Sequence, residues 1–368
     1  MKFAFRVDAS LQMGTGHVMR CLTLAEALRA QDGICHFITR MHTGNMAHEI
    51  RRHGFTVTEL PVVADDGLAV EKDESQPIAH SHWLGCDWRH DAVQTRDALQ
   101  ALQPDWLVVD HYALDLRWEA ELSANYKRLL VIDDLADRPH RSDLLLDQNL
   151  GRTLQDYVGL VPENCDVLAG PQYALLRPEF ADLRSYSLQR RLHPKLKQLL
   201  ITMGGVDQPN ATGLVMRALA TCALSSDCRI TVVMGSHAPW LAQIQTLALQ
   251  MPWVTEVVVN VSDMARRMAE SDMAIGAAGS TSWERCCLGL PTLLVVLADN
   301  QLPAAKALRE AKAVYLIGGA SDIVTQLPGA IASLLHENRM VELSVNTRAI
   351  SDGRGVSLVL RKLGIPYD

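Results

Sequence analysis

The sequence predicts an α/β protein made of two doubly wound, Rossmann-like domains facing each other across a cleft. Three observations predict it. Continuous apolar segments alternate with amphipathic ones, as expected for parallel strands covered by helices on both faces. The pattern restarts near residue 196. In both halves, Gly, Ser and Asn gather just past the C-terminal ends of the strands, where open α/β sheets place ligands.

The first half begins with the strand "KFAFRVD" and a helix over 17–31, then the strand "CHFIT", a helix over 45–53 and the strand "TVTEL". After a polar stretch come a helix over 91–102, the strand "DWLVVD", a helix over 116–125 and the strand "RLLVID". The second half opens with the strand "LKQLLIT" and a helix from about residue 210. It continues with "RITVVM", "VTEVVVN", a helix over 263–270, "DMAIG", a helix over 281–288 and "PTLLVV". The polar stretch 62–86 reads as a loop or small insertion, and the stretch from 321 to the end as helical, packing back on the body. The expected domains are residues 1–190, carrying the catalytic histidine and the sugar side, and 191–368, binding the nucleotide.

The 368 residues give room for two domains, and 48% apolar residues give each a core. A net charge of −7 excludes a nucleic-acid surface, which needs a basic face, so an anionic substrate must be held by a few local donors. No run of about 20 apolar residues spans a membrane. The eight cysteines form no CxxC and read as free thiols of a cytoplasmic protein. The chain is read as a monomer.

Five strand-end segments carry candidate chemistry. In "MGTGHVMRCLTLAEAL", Gly14 and Gly16 permit close backbone approach, and the N–H groups of a helix start favour an anion. The same helix start disfavours a cationic His17, and a neutral imidazole can act as a general base. A tight turn with a polar first-turn histidine accounts for the same residues. Arg20 lies either near a diphosphate or on the helix face. The spacing is not GxGxxG, so a dinucleotide is not expected.

In "IGAAGSTSWERCCLGLP", Gly279 and Ser280 offer N–H and hydroxyl groups to a diphosphate, and Glu284 is placed to accept from ribose hydroxyls. The structural alternative is a capping box formed by Ser280 or Thr281 with Glu284. "MGGVDQPN" holds Gly204 and Gly205, or is simply a turn before a helix capped by Asp207 or Asn210. Met234 and Gly235 end the next strand. "VVDHYALD" puts His111 and Tyr112, and "LADNQLPAA" puts Asn300 and Gln301, at strand ends; a loop and a helix cap are the alternatives. DxD, HExxH, GxSxG and P-loop motifs are absent, and the thirteen histidines show no ligand spacing, so neither metal nor cofactor is expected.

Together these motifs resemble the GT-B superfamily of nucleotide-sugar enzymes. More specifically, "FRVDASLQMGTGHVMRCLTLA", "VVDHYALD", "IDDLADRPHRSDLLLDQN", "GPQYALLRPEF", "LITMGGVDQPN" and "NQLPAAKAL" resemble the UDP-2,4-diacetamido-2,4,6-trideoxy-β-L-altropyranose hydrolases, the PseG family of pseudaminic acid biosynthesis. The resemblance runs from residue 1 to about 345, except over 62–86, which is longer than the usual family loop. It implies inverting, metal-independent hydrolysis of a UDP-sugar to UDP and the free sugar, which feeds flagellin glycosylation or surface polysaccharide. It places the catalytic histidine on His17, an active-site tyrosine on Tyr112, an active-site asparagine on Asn300 and a nucleotide-contacting glutamate on Glu284. "STSWE" departs from the usual family spelling at that glutamate. Arg177 takes a sugar-side or structural role. The alternative is a GT-B glycosyltransferase using the same UDP-sugar site. An epimerase would need carboxylates near the sugar, and a non-catalytic nucleotide-sugar sensor would lack turnover.

Overall fold

The computed structural model describes residues 1–62, 78–236, 238–336 and 339–366. The chain divides into two compact units, Met1–Leu175 with Val356–Asp368, and Leu176–Gly355.

The first unit contains β1 (Lys2–Val7), α1 (Gly16–Arg29), β2 (Ile34–Arg40), α2 (Ala47–Arg52), β3 (Thr56–Leu60), α3 (Trp88–Leu102), β4 (Trp106–Asp110), α4 (Leu116–Glu121), β5 (Arg128–Ile132), β6 (Leu144–Asp147) and β7 (Asp166–Ala169). The strands form one parallel sheet in the order β3-β2-β1-β4-β5-β6-β7. The order reverses between β1 and β4, the switch point at which doubly wound sheets bind ligands. Alternation along the strands covers both faces. Phe3, Phe5 and Val7 of β1 and Trp106 and Val108 of β4 pack into one core, and Ala4, Leu107 and Val109 into the other.

Arg6 occupies a core position of β1, fully buried. Asp91 of α3 holds its guanidinium with two hydrogen bonds, at 3.2 and 2.6 Å, and also takes Arg40 at 2.6 Å and the Trp118 indole at 3.0 Å. A buried guanidinium survives only with such pairing.

The second unit contains α5 (Pro178–Arg190), β8 (Gln198–Thr202), α6 (Ala211–Leu219), β9 (Arg229–Met234), α7 (Leu241–Ala248), β10 (Val254–Val259), α8 (Met264–Glu270), β11 (Met273–Ala277), α9 (Thr281–Cys287), β12 (Thr292–Val296), α10 (Leu302–Glu310), β13 (Tyr315–Gly319), α11 (Ile323–Leu335) and α12 (Arg339–Arg348). Its strands form a second parallel sheet, β10-β9-β8-β11-β12-β13. A final helix, α13 (Gly355–Lys362), returns Val359 and Leu360 to the core of the first unit, and Leu363 follows them.

Several features differ from the expectation, which did not include β13, α7 or α10. The units divide at 175/176, not 190/191. The helix α5 belongs to the second unit, where Ser187 Oγ donates to the Leu288 carbonyl (2.7 Å) and Arg184 donates to the carbonyls of Ser351 (2.9 Å) and Arg348 (2.8 Å). The strands β6 and β7 were not anticipated: each has four residues, and no α-helix separates either from the strand before it. Of the polar stretch 62–86, residues 63–77 lie outside the described residues.

Candidate active site

The corner between β1 and α1 forms as its sequence requires. Gly14 has φ +77°, and its N–H donates to the Ser10 carbonyl at 2.8 Å. A Cβ here would meet nothing within 4 Å, so the backbone conformation, not space, demands glycine. Gly16 opens α1. The N-cap residue Thr15 makes no side-chain capping bond, so its hydroxyl does not occupy the first-turn N–H groups.

His17, 12% exposed, follows at once. Its Nδ1 lies 2.6 Å from Oδ1 of Asp110, the last residue of β4. A carboxylate only accepts, so Nδ1 carries the hydrogen and Nε2 is left with its lone pair. Asp110 is fully buried and also takes Arg20 in a two-bond fork, at 2.6 and 2.7 Å. Burial alone would raise the Asp110 carboxyl, but Arg20 and His17 outweigh it and hold it below the usual carboxylate range. Arg20 reaches further, its Nη1 lying 2.7 Å from Oδ2 of Asp134, to which the Tyr112 hydroxyl also donates at 2.7 Å. The Tyr112 ring stands edge-on to His17, with centroids 4.7 Å apart. A buried, fully bonded network thus fixes one imidazole with a free basic nitrogen.

The structure brings His17, Arg20 and Tyr112 together as neighbours. Arg20 is neither free for a diphosphate nor idle on its helix face; it links two carboxylates. His111 points away, its Nε2 lying 3.2 Å from Asp8 Oδ2 and its Nδ1 accepting from the Ala113 N–H at 3.1 Å. The sequence reading missed Asp110 and Asp134. The available signal was an acid closing each of two apolar strands, "VVD" and "VIDD".

The second unit gathers the remaining candidates. The Ser280 side chain makes no capping bond, and Glu284 is not in a capping box. The Glu284 carboxyl has no hydrogen-bond or ion-pair partner among the described residues. Burial pushes it up to about 7, partly offset by the nearby Arg177 guanidinium. Arg177 itself sits over the Phe180 ring, 5.4 Å from its centroid. Gly204 (φ +88°) and Gly279 face open space, since a Cβ on either would meet nothing within 4 Å. Gly235 packs on Gly205: a Cβ at 235 would sit 2.1 Å from the Gly205 carbonyl oxygen. Asp207 and Asn210 cap α6, as the structural alternative held. Asn300 is exposed in the turn after β12.

One candidate fares differently. Met234 is buried in the core of the second unit, so its side chain is not presented to a ligand. As the last residue of β9, it follows the strand's alternation inward, and only its backbone lies at the strand end.

Among the described residues no group of three or more His, Cys, Asp or Glu side chains is arranged to hold a metal ion. No described helix is long and apolar enough to cross a membrane. All eight cysteines are free.

No family model matches the chain. Over 303 residues it is 26% identical to the UDP-2,4-diacetamido-2,4,6-trideoxy-beta-L-altropyranose hydrolase of Campylobacter jejuni, covering 82% of this chain and 93% of that one. Over 307 residues it is 25% identical to an uncharacterized protein of Methanocaldococcus jannaschii. That match also covers 82% of this chain but only 56% of the relative, so the chain spans about half of that protein's length. Among solved structures, MurG of Acinetobacter baumannii superposes with a TM-score of 0.70 at 15% identity, covering 99% of each chain. The chain thus has the GT-B fold, and over most of its length it is similar in sequence to a UDP-sugar hydrolase of the PseG kind.

Proposed function

We propose that the protein hydrolyses UDP-2,4-diacetamido-2,4,6-trideoxy-β-L-altropyranose at the anomeric C–O bond. The products are UDP and free 2,4-diacetamido-2,4,6-trideoxy-L-altropyranose, an intermediate of pseudaminic acid biosynthesis. The observation that carries this reading is the Asp110–His17 pair, 2.6 Å apart, at the head of α1. His17 Nε2 takes a proton from water as the water oxygen attacks C1. The bond from C1 to the β-phosphate oxygen breaks, and UDP leaves with the electron pair. Asp110 keeps the imidazole oriented and stabilises its charge after proton transfer. Tyr112 and Arg20 position this pair, and Asn300 contacts substrate.

The second unit (residues 176–355) holds UDP in this reading. The backbone at Gly204, Gly205, Gly235 and Gly279 approaches the diphosphate, together with Ser280, and Glu284 accepts from the ribose hydroxyls. Gly14 and Gly16 let the substrate approach the first unit, and Arg177 supports Glu284. No metal or cofactor takes part, so full activity after exhaustive chelation is expected. Eight free thiols fit a reducing cytoplasm. The protein acts as a monomer on a small molecule, without nucleic acid or membrane.

Transfer to a hydroxyl acceptor would use the same base. Hydrolysis is preferred because the matched hydrolase is covered over 93% of its length. Incubation with the UDP-sugar and no acceptor decides: equal amounts of UDP and free sugar are expected. Turnover only on adding an acceptor would establish a transferase.

A further inference from the structure

The last described part of the polar stretch, residues 80–85, brings two rings to Tyr112. Trp83 stacks on it, with centroids 5.6 Å apart and planes 23° from parallel. His80 lies 5.5 Å from Tyr112 and 4.4 Å from Trp83. The Tyr112 ring in turn touches His17, so the cluster begins one ring away from the proposed base.

The segment is anchored between and just after these rings. Leu84 is buried at 2% exposure, and Gly85 (φ +72°) runs so close to His42 that a Cβ would sit 2.6 Å from its ring. His82 Nε2 meets the Gln12 amide at 3.0 Å, tying the segment to the loop that leads into Gly14 and His17. Trp83 and His80 are nevertheless only half-buried. Neither the Trp83 indole N–H nor either His80 ring nitrogen makes a hydrogen bond among the described residues, unlike the Tyr112 hydroxyl, which Asp134 occupies. Burial lowers the His80 pKa, partly offset by the nearby Asp137 carboxylate.

We propose that Trp83, backed by His80, forms the aromatic wall of the sugar subsite and selects for an N-acetylated sugar. The reading rests on the nucleotide-sugar function above. A flat, half-exposed ring packs against an acetamido methyl, and an unused N–H beside it donates to the acetamido carbonyl. Aromatic surface with one placed donor is the usual way a pocket combines affinity with orientation. A hydroxyl in place of the acetamido group has no methyl to cover the ring.

The test is binding in a His17→Asn background, using calorimetry with the UDP-diacetamido sugar and, separately, with UDP. Adding Trp83→Ala is expected to weaken the sugar nucleotide about tenfold while UDP stays within about twofold, the scale of one aromatic contact. Trp83→Phe, which keeps a ring but loses the N–H, falls between. The proposal is overturned if Trp83→Ala leaves the sugar nucleotide unchanged. It is equally overturned if UDP weakens by the same factor, which would mark a structural role. Parent protein that binds the sugar nucleotide without hydrolysing it overturns the hydrolase reading alone. Parent protein that binds neither ligand overturns both.

Discussion

Asp110 Oδ1 lies 2.6 Å from His17 Nδ1, and the same carboxylate carries both bonds of the Arg20 fork. One buried group therefore orients the proposed base and anchors the cation beside it. In Asp110→Asn, the amide can no longer serve as an all-acceptor partner, and the Nε2–H tautomer becomes accessible to His17. Turnover should fall by about 10²–10⁴-fold, the usual range for losing general-base function. UDP affinity should stay at the parent value, because the nucleotide is assigned to the other unit. Near-parent turnover, measured as UDP release, would remove Asp110 from the mechanism.

Glu284 gives a pH test of nucleotide binding. Its carboxyl, pushed up to about 7 by burial, is ionised above that pH and protonated below it. If the carboxylate accepts from ribose hydroxyls, affinity for UDP should be full near pH 8 and weaken as pH falls toward 6. Glu284→Gln should bind more weakly at pH 8 and show a flatter profile. Comparing the two profiles isolates this group from titration of UDP itself. Profiles of equal slope would show that Glu284 does not contact the nucleotide.

How much was legible in the sequence depended on where each signal resides. The strands β3 and β9 fall on "TVTEL" and "RITVVM", because short runs rich in Val, Ile and Thr and bounded by turns carry their own signature. The strands β6 and β7 were missed because four residues are too few for periodicity to register. The site divided similarly. His17 was legible from its glycine-rich corner, a local feature. Asp110 and Asp134 were not, since an acid at a strand end acquires meaning only when β4 and β5 lie beside α1. Trp83 belongs to the same class: its stacking on Tyr112 joins positions 29 residues apart along the chain.

Asp147 predicts an unusual pH dependence of stability. Burial, and then the charge of Asp134, push its carboxyl up to about 7, against about 3.9 in an unfolded chain. The folded state therefore holds this proton more tightly. Its contribution to stability is fully present below about pH 4 and is lost as pH rises through about 7. Between pH 5 and 8, parent protein should lose more thermal stability than Asp147→Asn, whose amide oxygen still accepts from the Asn149 N–H while its NH₂ faces the Tyr157 hydroxyl, which donates to Asp133 instead. Calorimetric melting curves that fall in parallel would place the Asp147 proton elsewhere.

The last prediction concerns which bond breaks and on which face. Either the C1–O bond or a P–O bond of the substrate could be cleaved. Phosphoryl transfer generally enlists metal ions or cationic clamps to manage charge on the moving phosphoryl group. Beside His17 stands the cation Arg20, and two carboxylates, Asp110 and Asp134, already engage it. That environment suits attack on carbon, with UDP departing as a stable anion that needs no strong general acid. The same pairing bears on stereochemistry. A retaining mechanism requires a carboxylate nucleophile free to bond C1. Asp110 is fully buried against His17 and Arg20, and Asp134 is held by Arg20 and the Tyr112 hydroxyl. On the proposed reading, water activated by His17 is then the nucleophile, and a single displacement should invert the anomeric centre. In ¹⁸O-enriched water the label should appear at the C1 hydroxyl of the sugar and not in UDP, and the first product seen by NMR should have the opposite anomeric configuration. Label on phosphate would refute attack at carbon, and early retention would refute single displacement.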